Sequence, residues 1–291
     1  TIRNPRWFYT NPSGQSVETR ERGFLHDRLL AHRLAAFRNA ANGLRALVFA
    51  GPPGAGKGWV QANEFDLSGF VVIDPDEFKA LLLREAIRDG SYESWIKPAA
   101  VKDLGAQGER FAPMELAALV HEESSILAER MRREAMAAGR NLVADSVLSD
   151  QAKAIRLGRL LEASGYRITV LDVEVPYFVS EASIRQRYRD GYERAMAGED
   201  ALGGRWVPSE YARSVFNGPG EPSKPELAAR ELAEQCPVVM EYRLYRGMEV
   251  GGPRELETRL VRQRPGAPLL AADRAAGLSA ARRNQTGSVV E

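Results

Sequence analysis

The stretch GPPGAGKGW, Gly51–Trp59, decides the fold. It follows the short apolar run Ala46-Leu47-Val48-Phe49-Ala50 and precedes a helical pattern, so it reads as strand, glycine loop and helix start. In that setting the backbone N–H groups of Gly51, Pro52, Pro53, Gly54, Ala55 and Gly56 (the prolines excepted) converge on phosphate oxygens, and the helix N-terminus adds positive potential. Lys57 supplies a point charge for the outer phosphates. The pattern G-x-x-x-x-G-K ordinarily continues with Ser or Thr, whose hydroxyl holds Mg²⁺. Here Gly58 and then Trp59 follow. The loop is expected to bind nucleotide and to leave more of the metal shell to water, which Mg²⁺ tolerates.

Outward from the loop the chain alternates strands with helices. FVVIDPDEFKALLLREAIRDG reads as strand, polar turn and helix, and a long helix from Met114 to Ala138 leads through Gly139 into the strand NLVAD. A helix around Gln151–Ser164 stops at Gly165 before YRITVLDVEVP, another spans about Ser180 to Ala197, and VVMEYRLYR at Val238–Arg246 is a late strand. Before the loop, Phe24, Leu25, Leu29, Leu30, Leu34 and Phe37 mark a helix from Ser16 to about Asn42, closed by Gly43. This alternation predicts an α/β fold, a P-loop kinase-like parallel sheet flanked by helices on both faces. Residues 1–250 are expected to form one such domain with an N-terminal helix, and 251–291, rich in Pro, Gly, Ala and Arg, a loosely ordered C-terminal extension.

Composition narrows the function classes. A net charge of +1 offers no global field for nucleic acid or a membrane surface. No apolar run approaches the roughly 20 residues of a membrane helix, and the start TIRNPRWFYTN has no signal-peptide core. With Cys236 as the single cysteine, the expected setting is a reducing, cytoplasmic one. His26, His32 and His121 show no metal-ligand spacing and are taken as surface or helix residues.

The second chemical element is IDPDEFK, Ile73–Lys79. Asp74 and Asp76 stand where a strand ends and a helix begins, the edge at which open α/β sheets bind ligands. A carboxylate there can take the proton of an attacking hydroxyl. Equally, Asp76 can be a helix N-cap with Asp74 solvated. Asp145, ending the third strand, can hold a water of the Mg²⁺ shell or cap the next turn. On the residues alone, Arg187 and Arg205 are two surface arginines among many.

Taken together and in order, GPPGAGKG, FVVIDPDEFK, LAERMRREAMAAGRNLVAD, GYRITVLDVEVP, IRQRYRDGYE and GGRWVP resemble the zeta toxins, small-molecule kinases of bacterial toxin–antitoxin systems. The likeness runs from the N-terminal helix to about Arg246. It implies that Asp76 is the catalytic base, that Arg187 contacts ATP and that Arg205 contacts the transferring phosphate. Counting ten residues back from Gly139 places the substrate-binding glutamate on Glu129, with Glu122 and Glu123 as rivals. The family usually has acid-Gly-Thr after the third strand; here Asp145-Ser146-Val147 stands instead, leaving Ser146 to replace the lost sugar contact.

The resemblance further implies ATP and Mg²⁺ as cofactors and a sugar hydroxyl as acceptor, most often the 3′-OH of UDP-N-acetylglucosamine. It implies a proteinaceous antitoxin as partner. A related effector branch phosphorylates the 3′-OH of NAD's adenosine ribose, which keeps dinucleotides open as acceptors. Two other readings remain: a non-catalytic nucleotide-binding module, favoured by the missing hydroxyls at Gly58 and Val147, and an adenylate-kinase-type enzyme, disfavoured because DSVLS lacks that family's element. Arg205 lies in the glycine-rich stretch GEDALGGRWVP, which suits a mobile lid.

Overall fold

The computed structural model describes residues 1–273. An N-terminal ribbon, β1 (Phe8–Thr10) and β2 (Ser16–Glu18), leads into α1 (Arg20–Ala35), capped by the Thr19 side chain. The helix is thus shorter than its apolar spacing suggests. Thr19 supplies a hydroxyl cap, and the chain leaves the helix at Ala36, well before Gly43. Gly43 instead allows a close approach: a Cβ there would come within 2.7 Å of the Asn141 side chain.

The core alternates as expected: β3 (Arg45–Ala50), α2 (Lys57–Glu64), β4 (Val71–Ile73), α3 (Pro75–Arg88), α4 (Ala99–Ala106), α5 (His121–Ala137), β5 (Leu142–Asp145), α6 (Gln151–Ala163), β6 (Arg167–Glu174), α7 (Tyr177–Met196), α8 (Ser209–Ser214), α9 (Lys224–Gln235) and β7 (Val239–Arg246). Pro113–Val120, expected as the first part of a long helix, is a 3₁₀ turn, so α5 begins only at His121.

The sheet runs β4-β5-β3-β6-β7, and these five strands are parallel. Two further strands, β8 (Glu255–Val261) and β9 (Leu270–Ala271), extend its edge antiparallel. This corrects the expectation of loose order from residue 251. ELETRLV carries short alternation that pairs with β7, and a hydrogen-bond ladder rather than apolar burial holds it. The remainder of the expected extension, 274–291, lies outside the described residues.

Side chains alternate across the strands. Ala46, Val48, Leu142, Ala144, Ile168 and Val170 pack with α1, α3, α5, α6 and α9. Leu47, Phe49, Val143, Leu171, Val173 and Tyr245 face Val60 of α2 and Val179 of α7. Because β3 is buried on both faces, its sequence is a continuous apolar run. His26 is wholly buried, not a surface residue. Its Nε2 lies 2.8 Å from Glu123 Oε1, which also accepts from Arg22 Nε at 2.5 Å, tying α1 to α5.

Candidate active site

The loop after β3 requires glycine where its backbone turns left-handed, with φ of +136° at Gly51 and +92° at Gly56. A Cβ at Gly51 would lie 2.1 Å from the Val173 carbonyl of β6, so the loop is pressed against the sheet edge. Its far side is held by Ser180 of α7, whose Oγ donates to Pro53 O at 2.6 Å. Lys57 opens α2, and its Nζ reaches back to Gly51 O at 3.0 Å and Pro52 O at 3.4 Å. Burial lowers the Lys57 pKa first; Asp145 opposes this and Arg187 adds to it, which places both near the ammonium. Gly58 is exposed, and a Cβ there would meet nothing within 4 Å, so its lack of a hydroxyl is not imposed by packing.

At the end of β4 the two aspartates divide their roles. Asp74 is the N-cap of α3, accepting from Asp76 N at 2.8 Å, and Pro75 occupies the first helical position. The capping alternative for Asp76 is therefore corrected: Asp74 takes the cap, which leaves both Asp76 oxygens free for side-chain partners. Asp76 Oδ1 accepts from Lys79 Nζ at 2.9 Å, one helical turn on, and Asp76 Oδ2 is in contact with Arg205 Nη1. The Asp74 carboxyl is pushed up to about 6, by burial first and then by Asp145 and Glu77, against the pull of Arg205 and Lys79. Lys79 is buried, which lowers its pKa while Asp74 sustains its charge.

Asp145, at the end of the neighbouring strand β5, accepts from Gln61 Nε2 at 2.6 Å. It does not cap the next helix, because Asp150 does. Arg187 sits on α7 with its side chain exposed, and it and Arg205 both feel the Asp74 carboxylate. Lys57, Asp74, Asp76, Asp145, Arg187 and Arg205 thus form one electrostatic cluster at the carboxyl edge of the sheet. For a divalent cation the donors fit in part. Asp74 and Asp145 repel one another at adjacent strand ends, and a cation between them would relieve that repulsion. Among the described residues no group of three or more His, Cys, Asp or Glu gathers as a cage, so such a cation would keep a water-rich shell.

The glycines before Arg205 are required by packing. A Cβ at Gly204 would fall 2.2 Å from Tyr188 O, and one at Gly191 would fall 2.4 Å from Gly204 Cα. The segment is therefore seated on α7, which aims Arg205 at Asp76. Tyr188 itself is held by Glu115, whose Oε2 accepts from its hydroxyl at 3.0 Å.

Glu129 and Ser146 share a cavity of about 560 Å³ with Arg132, Lys153, Arg156 and Tyr211. Tyr211 connects it to the cluster, because its hydroxyl interacts electrostatically with Arg205. Glu129 is largely exposed and only loosely paired with Arg132 at 3.9 Å, so its carboxylate is open to a ligand. Glu123 is excluded as its rival, because Arg22 and His26 consume it. Leu148, in the loop after β5, adopts a left-handed φ of +54° beside this cavity, strain of the kind that functional loops retain. A larger cleft of about 740 Å³ near Glu174 and Arg246 shares no residue with either part of the site.

Sequence reasoning left three participants without a role. Lys79 stands at i+3 from Asp76 within the quoted motif, and that spacing was the available signal. Gln61 lies one turn beyond Lys57 on the same helix face. Arg254 contacts the phosphate loop from 199 positions away in the chain, for which no local signal exists.

The fold and this site define a P-loop kinase-like α/β protein. A sequence model of the zeta toxin family matches residues 105–239. Over that stretch, a little under half of the chain, the sequence is similar to the zeta toxins. The matched stretch carries Glu129, Asp145, Arg187 and Arg205, whereas the glycine loop and Asp76 lie before it. Among solved structures the fold is similar to that of the AvrRxo1-ORF1:AvrRxo1-ORF2 complex with sulphate ions, at 19% identity and a TM-score of 0.61, covering 93% of this chain and 74% of that one. The same complex with ATP aligns at a TM-score of 0.60. A structure of the PezAT chromosomal toxin–antitoxin system of Streptococcus pneumoniae aligns at 14% identity and a TM-score of 0.50, covering 80% of each chain. No curated protein sequence matches the chain. No helix among the described residues is long and apolar enough to cross a membrane.

Proposed function

We propose that the protein is a toxin kinase that transfers the γ-phosphate of ATP to a sugar hydroxyl, with the 3′-OH of UDP-N-acetylglucosamine as the leading acceptor. The observation that carries this reading is the placement of Asp76. One carboxylate is set between Lys79 and Arg205, at the sheet edge that also carries the phosphate loop and Lys57. Structural placement alone does not require that combination of a base and phosphate-directed cations.

In this reading the loop amides and Lys57 hold the nucleotide phosphates, and Asp145 and Asp74 are the carboxylates that would hold Mg²⁺. The metal would neutralise charge on the phosphate oxygens. Asp76 accepts the proton of the acceptor hydroxyl as its oxygen bonds to the γ-phosphorus and the bond to the β-phosphate oxygen breaks, leaving ADP. Arg205 has two anionic partners within reach, Asp76 and the transferring phosphoryl group. Turning to the latter leaves Asp76 paired with Lys79 alone and one of its carboxylate oxygens open to the acceptor hydroxyl. Arg187 steadies the ATP phosphates from α7.

Glu129 and Ser146 position the acceptor. The cations Arg132, Lys153 and Arg156 in the same cavity suit an acceptor that itself bears a diphosphate. A dinucleotide such as NAD, phosphorylated at its ribose 3′-OH, is the second reading, favoured by Val147 standing where a sugar-contacting threonine is usual. A protein antitoxin that covers the ATP site is the expected partner, in keeping with the two-component complexes and system to which the fold is similar. The lone cysteine, Cys236, is buried and free, consistent with a cytoplasmic setting.

The test incubates the protein with ATP, Mg²⁺ and a panel of UDP-sugars and NAD, beside Asp76→Asn, with mass spectrometry as readout. The expected result is a phosphate-sized gain on one acceptor that Asp76→Asn abolishes while ATP binding survives. Transfer that persists in the variant removes Asp76 as the base. Binding of ATP without transfer to any acceptor favours the non-catalytic module.

A further inference from the structure

The turn between β7 and β8 carries one residue into the phosphate loop. Arg254 is buried, 4% exposed, and its Nε donates to Ala55 O at 2.6 Å. Its Nη1 donates to Glu249 O at 3.3 Å, to Pro253 O at 3.2 Å and to Gly252 O. All of these acceptors are carbonyls. The guanidinium lies in a slot between two glycines: a Cβ at Gly56 would come within 2.7 Å of Nε, and one at Gly247 within 2.5 Å of Cδ. An arginine buried among carbonyls is a costly use of a charge, because no carboxylate among its hydrogen-bond partners offsets it.

The geometry gives that cost a purpose. A trans peptide is a rigid plane in which C=O and N–H point in opposite directions. Arg254 grips the Ala55 carbonyl from outside the loop, so it fixes the Gly56 N–H toward the inside, where phosphate oxygens would sit. The cation also adds to the potential that Lys57 sets up there. Burial alone presses the Arg254 pKa down, which an anion in the loop would counter. The β7–β8 turn lies beyond residues 105–239, so this contact is no part of the stretch matched to the family.

We propose that Arg254 is a positioning residue for the phosphate loop, and that the C-terminal hairpin completes the nucleotide site by holding the Ala55–Gly56 peptide in its phosphate-binding orientation. This rests on the reading of the loop as an ATP site. It explains why the antiparallel edge belongs to the domain although it contributes little to the core.

The test measures binding of ATP and of adenosine by calorimetry, with thermal unfolding alongside, for the wild type, Arg254→Met, Arg254→Lys and Gly247→Ala. Arg254→Met keeps an unbranched stem and is expected to bind ATP about ten- to a hundredfold more weakly, the range for one charge-assisted hydrogen bond, with adenosine unchanged. Arg254→Lys is expected to recover part of the loss. Gly247→Ala pushes the arginine from behind without touching the loop, so it should reproduce the ATP defect and add nothing on top of Arg254→Met. ATP binding unchanged in Arg254→Met, or ATP and adenosine weakened equally together with the unfolding midpoint, would overturn the proposal. Should Arg254→Met fail to fold, Gly247→Ala with wild-type ATP affinity overturns it. A wild type that binds no ATP removes the nucleotide reading itself, and this inference with it.

Discussion

Replacing Glu123 by Gln removes the charge that ties the N-terminal helix to the helix carrying Glu129. Glu123 is completely buried and accepts from Arg22 Nε at 2.5 Å and from His26 Nε2 at 2.8 Å. Burial by itself would raise its pKa, but the hydrogen bonds from His26 and Arg22 outweigh that and hold it at about 2, against an ordinary 4.5. At about 1.36 kcal/mol per pH unit, that gap favours the ionised folded state by about 3 kcal/mol. The folded pKa is depressed, so this stability is fully present above about pH 4.5 and is lost as pH falls toward 2. In Glu123→Gln it is absent throughout, and Arg22 keeps a buried charge without its carboxylate. The expected loss near pH 7 is therefore about 3–5 kcal/mol. Urea unfolding at pH 7 and at pH 3 measures both quantities. The wild type should lose stability between the two pH values more steeply than the variant does. Equal slopes, or a loss under 1 kcal/mol at pH 7, would refute the reasoning and make the pair a weak surface-like contact.

Further outcomes follow from single residues. Gly58→Ser restores the hydroxyl in open space, so the Mg²⁺ concentration for half-maximal transfer should fall about tenfold, one ligand's worth, and an unchanged titration would show that the metal does not sit there. Burial raises the carboxyl pKa values of Asp172 and Glu174, helped by the Glu226 charge at Asp172 and by the Asp172 charge at Glu174, so the folded state binds protons more tightly than the unfolded chain does. The stability they contribute at low pH is lost as pH rises through those values. Glu174→Gln, still able to accept from Ser223, should flatten that decline and stabilise the protein at alkaline pH; thermal melts from pH 6 to pH 10 that superimpose for both proteins would sink this. Asp76→Asn in the transfer assay completes the set, with ATP affinity retained and turnover lost.

Local chemistry explains what could be read in advance. The parallel sheet was visible because strands buried on both faces are apolar throughout, as RALVFA is, and because glycine is required where the loop turns left-handed at Gly51 and Gly56. The edge strand Glu255–Val261 escaped notice because a ladder needs no apolar face. The glycines before Arg205 suggested freedom, whereas backbone packing against Tyr188 needs them just as much. His26 gave no sign of burial, since its partner Glu123 lies 97 residues away.

By itself, then, the sequence determined the order of elements, the phosphate loop and the carboxylates at the strand ends, because each depends on neighbours within a few residues. Only the tertiary structure decided which aspartate caps and which faces Arg205, that Glu129 shares its cavity with Ser146, and that Arg254 grips the loop. Those assignments depend on hydrogen bonds and charges that meet across the sheet edge, and no local pattern encodes a distance between residues brought together by folding.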